Sequence, residues 1–236
     1  KFGLYGPTFD EYTSRFENID LKISDNDGFA YVEKDIQDLA KSNDGVILIN
    51  PDNPTGNFIN YDGIIKILDD FKSNNKILIL DESFLDFAEN GFESSVLNKI
   101  DLENYKNLVV VKSIGKSYGI GGLRLGVLAS SNEELINKLK SDISIWNVNS
   151  ISEFYLQIIG KYYDEYKDSC KKIIYARQLL MKGLEKIEYL KPYPSQANYI
   201  FCKLSNKSSR QLAIDLCNDY SILIKDCSKK NNIHKD

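Results

Sequence analysis

The chain has 236 residues, of which 42% are hydrophobic and 27% charged, with a formal net charge of −4, as in an ordinary soluble globular protein. A slightly acidic chain without a stripe of basic and aromatic residues argues against a nucleic-acid partner. The longest apolar runs, such as GVILI and NLVVV, are too short to cross a membrane, so we expect no membrane partner either.

The first residues read KFGLYGPTFDEY, without an initiator Met, a signal-peptide pattern or a helix cap. They resemble the interior of a fold more than the start of one. We therefore expect the sequence to be a fragment of a longer polypeptide, truncated at both ends.

Short β-rich segments alternate with amphipathic segments in the first part of the chain. Between two of these segments, YDGIIKILDDFKSNN has apolar residues at helical spacing, which predicts a β-α-β unit. Continuous apolar strands separated by helices indicate an α/β fold with a mostly parallel sheet covered on both faces. The predicted strands are Gly45–Asn50, Lys76–Leu80, Leu108–Val111 and Gly126–Ala129.

The second half of the chain is predicted to be mainly helical. Ser131 and Glu134 have capping-box spacing and open one helix. A long apolar stripe over residues 151–187 predicts a helix that bridges two domains. A helix opened by Ser208 and Gln211, with the β-rich segments YPSQANYIFCKL and SILIKD, predicts a smaller α+β unit. The predicted domains are a large domain at 1–149, an interdomain helix at 150–185 and a partial small domain at 186–236.

The cysteine and histidine content limits the possible chemistry. Cys170, Cys202, Cys217 and Cys227 include no C-x-x-C pair, which is typical of reduced thiols in a cytoplasmic protein and indicates no metal site. The single histidine, His234, lies in a polar tail, so a Ser-His or Cys-His pair has almost no candidate.

Three polar clusters follow successive predicted strands. NPDNPTG begins at residue 50, DESF at residue 81 and KSIGK at residue 112. The carboxyl ends of parallel strands share one edge of a sheet, where open α/β sheets bind their ligands. Each cluster alone could be a turn, a helix cap or a solvated lysine. Together the three clusters predict a ligand-binding site.

The same clusters carry a family resemblance. In their order and spacing, NPDNPTG, LDESFLDF and SIGKSYGIGGLRLG resemble the pyridoxal-phosphate-dependent aminotransferases of fold type I, class I/II, and in particular histidinol-phosphate aminotransferases and threonine-phosphate decarboxylases. The resemblance covers nearly the whole chain. It implies a fold type I large domain with part of the small domain, pyridoxal 5'-phosphate as the cofactor, and a homodimer.

The resemblance implies catalytic roles for Lys116 and Asp81. Lys116 would form a Schiff base with the cofactor aldehyde and, once released, would shuttle the Cα proton of the substrate. Asp81 would keep the pyridine nitrogen protonated, which allows the ring to accept electrons.

Further residues would bind the cofactor. By resemblance, Ser113 and Arg124 bind the phosphate, Asn53 donates to the phenolic oxygen, and Phe9 stacks on the ring. Phe84 occupies a position where many of these enzymes have a tyrosine, so that hydroxyl is absent. The sequence also lacks the upstream Gly-rich turn and the downstream arginine for the substrate carboxylate, and Lys225 is a candidate replacement.

The resemblance implies an aminotransferase that moves an amino group from an amino acid or amine, with a phosphorylated or phosphonylated donor expected, to a keto or aldehyde acceptor. A decarboxylase of a phosphorylated amino acid and a catalytically incomplete relic are the alternatives. A dinucleotide-binding motif is not supported, because Gly119 and Gly121 follow a lysine loop and precede a strand rather than opening a helix.

Overall fold

The computed structural model describes residues 1–99 and 102–230 and contains a six-stranded sheet in the order β2-β1-β3-β4-β5-β6. Strands β1 to β5 pair in parallel, and β6 is antiparallel to β5. The predicted α/β fold with a mostly parallel sheet is confirmed. The strands are β1 Phe2–Gly6, β2 Ile19–Ile23, β3 Gly45–Ile49, β4 Ile77–Asp81, β5 Leu108–Ser113 and β6 Gly126–Ala129.

Along the chain, helices connect successive strands, and further helices come after the last strand of the sheet. A separate antiparallel hairpin is formed by β7 Leu190–Pro192 and β8 Cys202–Leu204. Among the described residues, no helix has the length and apolar character needed to cross a lipid bilayer. The α-helices of the described residues are α1 Asp10–Arg15, α2 Glu33–Ala40, α3 Tyr61–Ser73, α4 Gly91–Ser94, α5 Val96–Lys99, α6 Ile114–Ser117, α7 Glu133–Asp142, α8 Ser150–Ile158, α9 Tyr163–Leu184 and α10 Ser209–Tyr220.

The main core lies between the sheet and helices α2 and α3. All five residues of β3 are buried, as expected of a central parallel strand. Helix α3 begins where the Asn60 side chain accepts a hydrogen bond from the backbone N–H of Gly63. Its apolar positions recur at helical spacing and turn one face to the sheet, where Ile67, Leu68 and Phe71 are fully buried. Burial of this face therefore fixes α3 on β3 and β4.

The predicted cap of α7 is wrong. Asn132 is the N-cap, and its side chain accepts a hydrogen bond from a backbone N–H of the first turn. The Ser131 hydroxyl instead donates to the Leu102 carbonyl at 2.5 Å, so Ser131 and Glu134 do not form the capping box. Because Asn caps helices as well as Ser does, the sequence offered two adjacent candidates and the tertiary contact selected one.

The long helix predicted over residues 151–187 is also interrupted. Helices α8 and α9 are separated by a 3-10 turn at Ile159–Tyr162, which contains the poor helix former Gly160. The predicted apolar stripe is not a buried face, since Ile151 and Phe154 are 70% and 60% exposed.

The β-rich segment SILIKD contains no strand in the structure. The predicted domain boundaries after residues 149 and 185 stay a prediction.

Phe71→Ala is expected to lower the free energy of unfolding by about 3–5 kcal/mol, because it removes a fully buried ring and leaves a cavity between α3 and the sheet. Lys66→Ala, on the exposed face of the same helix, is the control and should change stability by less than about 0.5 kcal/mol. Urea denaturation followed by circular dichroism measures both. Equal losses in the two variants would contradict the assigned core.

Candidate active site

The three polar clusters of the sequence begin at the same edge of the sheet. In the parallel register, Ile49 of β3 pairs with Asp81 of β4, and Asp81 pairs with Val111 of β5. The backbone N–H of Asn50 donates to the Asp81 carbonyl at 2.9 Å, and that of Glu82 donates to the Val111 carbonyl at 2.8 Å. The loops after β3, β4 and β5 therefore leave the sheet side by side, as predicted.

Asp81 ends β4 and is buried with both carboxylate oxygens hydrogen-bonded. Oδ1 accepts the backbone N–H of Ser83 at 2.9 Å, and Oδ2 accepts the hydroxyl of Tyr12 at 2.7 Å. Burial, together with the charge and hydrogen bond of Asp81, holds the pKa of Tyr12 well above its usual value. Tyr12 therefore remains a protonated donor that aims the Asp81 carboxylate.

Phe9 lies directly before α1 and is half-buried. Its ring is edge-on to that of Tyr12, with centroids 6.4 Å apart. The structure thus places Phe9 next to the pair formed by Tyr12 and Asp81. Tyr12 was not identified from the sequence, although it follows Phe9 at a spacing that puts both residues on the same side of a helical turn.

The NPDNPTG loop is organised around the buried carboxylate of Asp52. Thr8 donates to its Oδ1 and Thr55 to its Oδ2, each at 2.7 Å. Burial raises the pKa of Asp52 to about 6, partly offset by the two threonine hydrogen bonds. Gly56 has a φ of +73°, and a Cβ there would lie 2.2 Å from the Ser195 hydroxyl oxygen. Only glycine fits this turn.

Aromatic residues connect the NPDNPTG loop to Lys116. The Tyr199 hydroxyl donates to the Asp52 carbonyl at 2.8 Å, immediately before the half-buried Asn53. The Tyr199 ring packs edge-on against Phe84 at 5.2 Å between centroids. The Lys116 Nζ lies 5.8 Å from the centre of the Phe84 ring. These contacts bring the loops that carry Asn53, Phe84 and Lys116 to one site.

Ser113 and Arg124 lie at neighbouring positions of a tight reversal. Ser113 pairs with Gly126 in the β5–β6 register, which brings the chain near Arg124 back to Ser113. Arg124 is exposed, its guanidinium donates to the Gly121 carbonyl at 3.1 Å, and its φ is +57°. This left-handed backbone is unfavourable for a residue other than glycine and is concentrated at functional sites. The reversal therefore brings the backbone near Arg124 close to Ser113.

Asp86 is a buried carboxylate that the sequence analysis did not identify. Its Oδ1 accepts the Lys112 ammonium at 2.7 Å, and its Oδ2 accepts the hydroxyls of Ser117 at 2.7 Å and Tyr166 at 2.5 Å. The Tyr166 ring stacks on Tyr118 with centroids 3.8 Å apart. Burial and the charge of Asp86 raise the pKa of Tyr118 to about 12, so its hydroxyl stays neutral.

The contacts of Asp86 fix both ends of α6, the short helix that carries Lys116. Lys112 precedes this helix and Ser117 is its last residue. Tyr166 belongs to α9, so the same carboxylate ties α6 to the long helix. No sequence spacing links residue 86 to residue 166, which is why the pattern of the sequence could not reveal this contact.

These groups fit the chemistry of pyridoxal 5'-phosphate. The cofactor has an aldehyde, a phenolic oxygen, a ring nitrogen and a phosphate, and the residues of the site carry an amine, an amide, a carboxylate and a guanidinium that are suited to bind them. A carboxylate has about four acceptor positions, so Asp81 retains capacity beyond its two hydrogen bonds. Among the described residues, no group of His, Cys, Asp and Glu side chains is arranged to hold a metal ion. His234 lies outside the described residues.

Comparison with known proteins identifies similar sequences and folds. A model of the family described as aminotransferase class I and II matches residues 6–231. A curated L-serine phosphate decarboxylase from Campylobacter jejuni is 32% identical over 194 residues, which are 79% of this chain and 48% of that protein. A histidinol-phosphate aminotransferase from Flavobacterium johnsoniae is 30% identical over 212 residues, covering 89% of this chain and 57% of that protein.

A solved structure shares the fold over the full chain. The histidinol-phosphate aminotransferase from Clostridium acetobutylicum superposes with a TM-score of 0.86 at 25% identity, covering 100% of this chain and 70% of that one. With 48% and 57% coverage, the chain spans about half the length of the curated relatives described above.

Asp52 should make stability depend on pH. Its folded pKa of about 6 lies above the ordinary value of 3.8, so the folded state favours the protonated carboxyl. The stability that this group contributes is fully present below pH 3.8 and is lost as the pH rises through about 6, by about 3 kcal/mol in all. Asp52→Asn removes the titration and should flatten the wild-type decline. Parallel curves of unfolding free energy against pH would contradict this assignment.

Proposed function

The chain belongs to the aminotransferase class I and II family, and we propose that it builds the active site of an aminotransferase around Lys116 and Asp81. Its cofactor is pyridoxal 5'-phosphate. The observation that carries the proposal is the register of β3, β4 and β5, which places the Asn53 loop, Asp81 and the Lys116 helix at one sheet edge.

When bound, pyridoxal 5'-phosphate supplies an electron sink for the charge that develops at the substrate Cα. Asp81 holds the proton on the ring nitrogen of the cofactor, since a buried carboxylate stabilises an adjacent N–H cation. Tyr12 and Ser83 fix the direction of this carboxylate. Asp81 would therefore offer the ring nitrogen a carboxylate that is already oriented and needs no reorganisation.

Lys116 would hold the cofactor covalently and, once released as a free amine, would move the proton at the substrate Cα. The hydrogen bonds of Asp86 hold α6, the short helix that carries Lys116, in place. Arg124 and Ser113 bind the cofactor phosphate, with Arg supplying paired donors. Asn53 donates to the phenolic oxygen. These assignments rest on the resemblance and agree with the contacts described above.

The proposed amino donor carries a phosphate or phosphonate, and the acceptor is a keto or aldehyde compound. Support for the anionic group comes from the relatives, whose names contain serine phosphate and histidinol phosphate. The fold alone does not identify the amino donor, because one fold serves many substrates.

Decarboxylation of a phosphorylated amino acid is a second candidate, favoured by the 32% identity to the L-serine phosphate decarboxylase. Phe84, in place of the expected tyrosine, is compatible with either reaction. The two differ in which Cα bond breaks: the C–H bond in transamination and the C–COO⁻ bond in decarboxylation. Two product assays distinguish the reactions. Decarboxylation releases CO₂ and an amine, whereas transamination forms a keto acid from the same donor.

We further propose a cytoplasmic homodimer with separate large and small domains at the predicted boundaries. The four free cysteines support a reducing compartment. Exposed apolar side chains after α7 support a second copy as partner, since Ile145 and Trp146 are 92% and 91% exposed. Amino donor and acceptor would then reach a site completed by both copies.

Lys116 and Arg124 should have separable effects. Borohydride reduction of the cofactor-loaded protein is expected to fix the cofactor on the peptide that contains Lys116, and Lys116→Ala should abolish this mass shift. Arg124→Ala should keep the attachment but weaken cofactor affinity roughly 10- to 100-fold, because charged hydrogen bonds to the phosphate are lost.

Lys138→Ala, at an exposed position of α7, is the control and should leave both readouts unchanged. Attachment to another lysine in the wild-type protein would refute the assignment of Lys116. Cofactor affinity unchanged in Arg124→Ala would refute the phosphate role.

Asp81→Asn should retain the cofactor and lower turnover by about 100-fold or more, because a neutral amide does not hold the proton on the ring nitrogen. The amide oxygen can still accept the backbone N–H of Ser83, and the amide nitrogen can donate to the Tyr12 hydroxyl oxygen, so the fold should survive. Single-turnover kinetics with a fixed amino donor measures the effect, with Asp219→Asn at an exposed position of α10 as the control. A decrease smaller than about tenfold would eliminate the proposed role.

A further inference from the structure

An open cleft of about 560 Å³ borders the end of the NPDNPTG loop. One wall is the carboxyl-terminal half of α9. The other walls are residues 56–58 of the loop, residues 194–196 before β8, and Glu89, two residues before α4. In the described part of the chain, none of the residues assigned to the cofactor lines this cleft. Its volume is that of a site for a small molecule.

Arg177 of α9 is the buried charged residue of the cleft. It is only 7% exposed, and its Nη1 atom donates to the carbonyl oxygens of Phe87 at 2.6 Å and Ala197 at 2.8 Å. Both acceptors are uncharged, and Arg177 forms no ion pair within the residues that the structure describes. Burial of a cation without an opposite charge is unfavourable. The structural contacts therefore leave the charge of Arg177 unbalanced.

The second edge of this guanidinium is uncommitted. A guanidinium has five N–H donors, and both hydrogen bonds of Arg177 use Nη1. Over residues 1–99 and 102–230, Nε and Nη2 have no acceptor, and neither is among the buried atoms that lack a partner. Since Arg177 lines the cleft, these two atoms are accessible from it. The Nε–Nη2 edge is the fork that binds a carboxylate through two parallel hydrogen bonds.

Glu89 is an exposed carboxylate in the same cleft. Its Oε1 accepts the side-chain amide of Gln178, the residue after Arg177, at 3.2 Å. Burial lowers the pKa of Arg177, and the negative charge of Glu89 opposes this change. The two side chains nevertheless form no ion pair with each other. The cleft thus presents an anion-binding fork and, close to it, a separate carboxylate.

The rest of the cleft is balanced in charge and partly apolar. Lys182 and Glu185 add one positive and one negative charge, so the four ionisable side chains cancel. Such a cleft favours an occupant without net charge over a simple anion or cation. Apolar side chains from three walls supply a surface for a hydrophobic group: Phe58, Met181 and Pro194.

The walls of the cleft are joined to the loop that carries Asn53. The backbone N–H of Gln196 donates to the Gly56 carbonyl at 3.0 Å. The side-chain oxygen of Gln196 accepts the backbone N–H of Glu89 at 2.8 Å. Gly56 comes three residues after Asn53. An occupant of the cleft would therefore contact backbone that continues into the proposed cofactor site.

We propose that this cleft binds a free α-amino acid with an apolar side chain. The Nε–Nη2 edge of Arg177 holds the carboxylate, Glu89 accepts the ammonium, and the side chain packs on Phe58 and Met181. The zwitterion supplies each of the two charged residues with the opposite charge that it lacks, and adds no net charge. This site goes beyond the proposed function, because it requires neither the cofactor nor Lys116.

The test blocks the proposed active site before binding is measured. Borohydride reduction of the cofactor-loaded protein leaves a secondary amine at Lys116, which cannot exchange with an added amine. Dissociation constants are then measured by calorimetry for L-leucine, for 4-methylpentanoate, which lacks the amine, and for 3-methylbutylamine, which lacks the carboxylate. We expect L-leucine to bind at least about tenfold more tightly than either analogue, because only the zwitterion engages both charged residues.

Two variants test the two charged residues separately. Glu89→Gln should bind L-leucine and 4-methylpentanoate with equal affinity, because the acceptor of the ammonium is lost. Glu188→Gln, the same change at an exposed position outside the cleft, is the control and should bind as the wild type does. Arg177→Lys can still donate to the two carbonyl oxygens but lacks the fork, so L-leucine should bind at least about tenfold more weakly.

The outcomes that contradict the proposal are distinct from those that contradict the proposed function. Absence of L-leucine binding by the wild type, equal binding of the three probes, or wild-type affinity in either folded variant would overturn the amino-acid site. If circular dichroism shows that Arg177→Lys does not fold, Glu89→Gln decides alone. A protein that does not attach cofactor would refute the proposed function, and the same titrations of the untreated protein would then decide the role of the cleft.

Discussion

The parallel register of β3, β4 and β5 is the constraint on which the candidate site depends. Ile49, Asp81 and Val111 lie in line across the three strands, so the polar residues that follow them, Asn50, Glu82 and Lys112, lie at the same edge of the sheet. A shift of one residue in β4 would turn Asp81 to the opposite face of the sheet. The buried apolar residues that set this register therefore also set the position of the carboxylate.

Three buried carboxylates give the site its rigidity. Asp52, Asp81 and Asp86 are 1%, 7% and 3% exposed, and each accepts at least two hydrogen bonds. Without such donors, burial of each charge would be strongly unfavourable. Donors come from the loop after β1, through Thr8, from α1, through Tyr12, and from α9, through Tyr166. Segments that are distant in sequence are thus held together, because they supply the hydrogen-bond donors of the buried carboxylates.

The sequence predicts the parts of this structure that follow from local patterns. The β-α-β unit around α3, the order of the three loops and the Ser208 cap of α10 are confirmed, since alternating apolar runs and capping residues act over short distances. The contact of Asp86 with Tyr166 and the hydroxyl of Tyr12 on Asp81 were not foreseen, because they join separate segments. The break between α8 and α9 was missed because one apolar stripe fits either one helix or two.

The aromatic contacts at Phe84 show how the loss of a hydroxyl changes the site. A tyrosine there would carry a polar group towards the cofactor, whereas Phe84 is almost fully buried against Tyr199 and beneath Lys116. The hydroxyl of Tyr199 does not replace the missing one, because it donates to the Asp52 carbonyl. Tyr199 instead fixes the backbone directly before Asn53. In the proposed site, which has one polar donor fewer, the Asn53 amide would carry more of the recognition of the phenolic oxygen, so the rigidity of this loop would become more important.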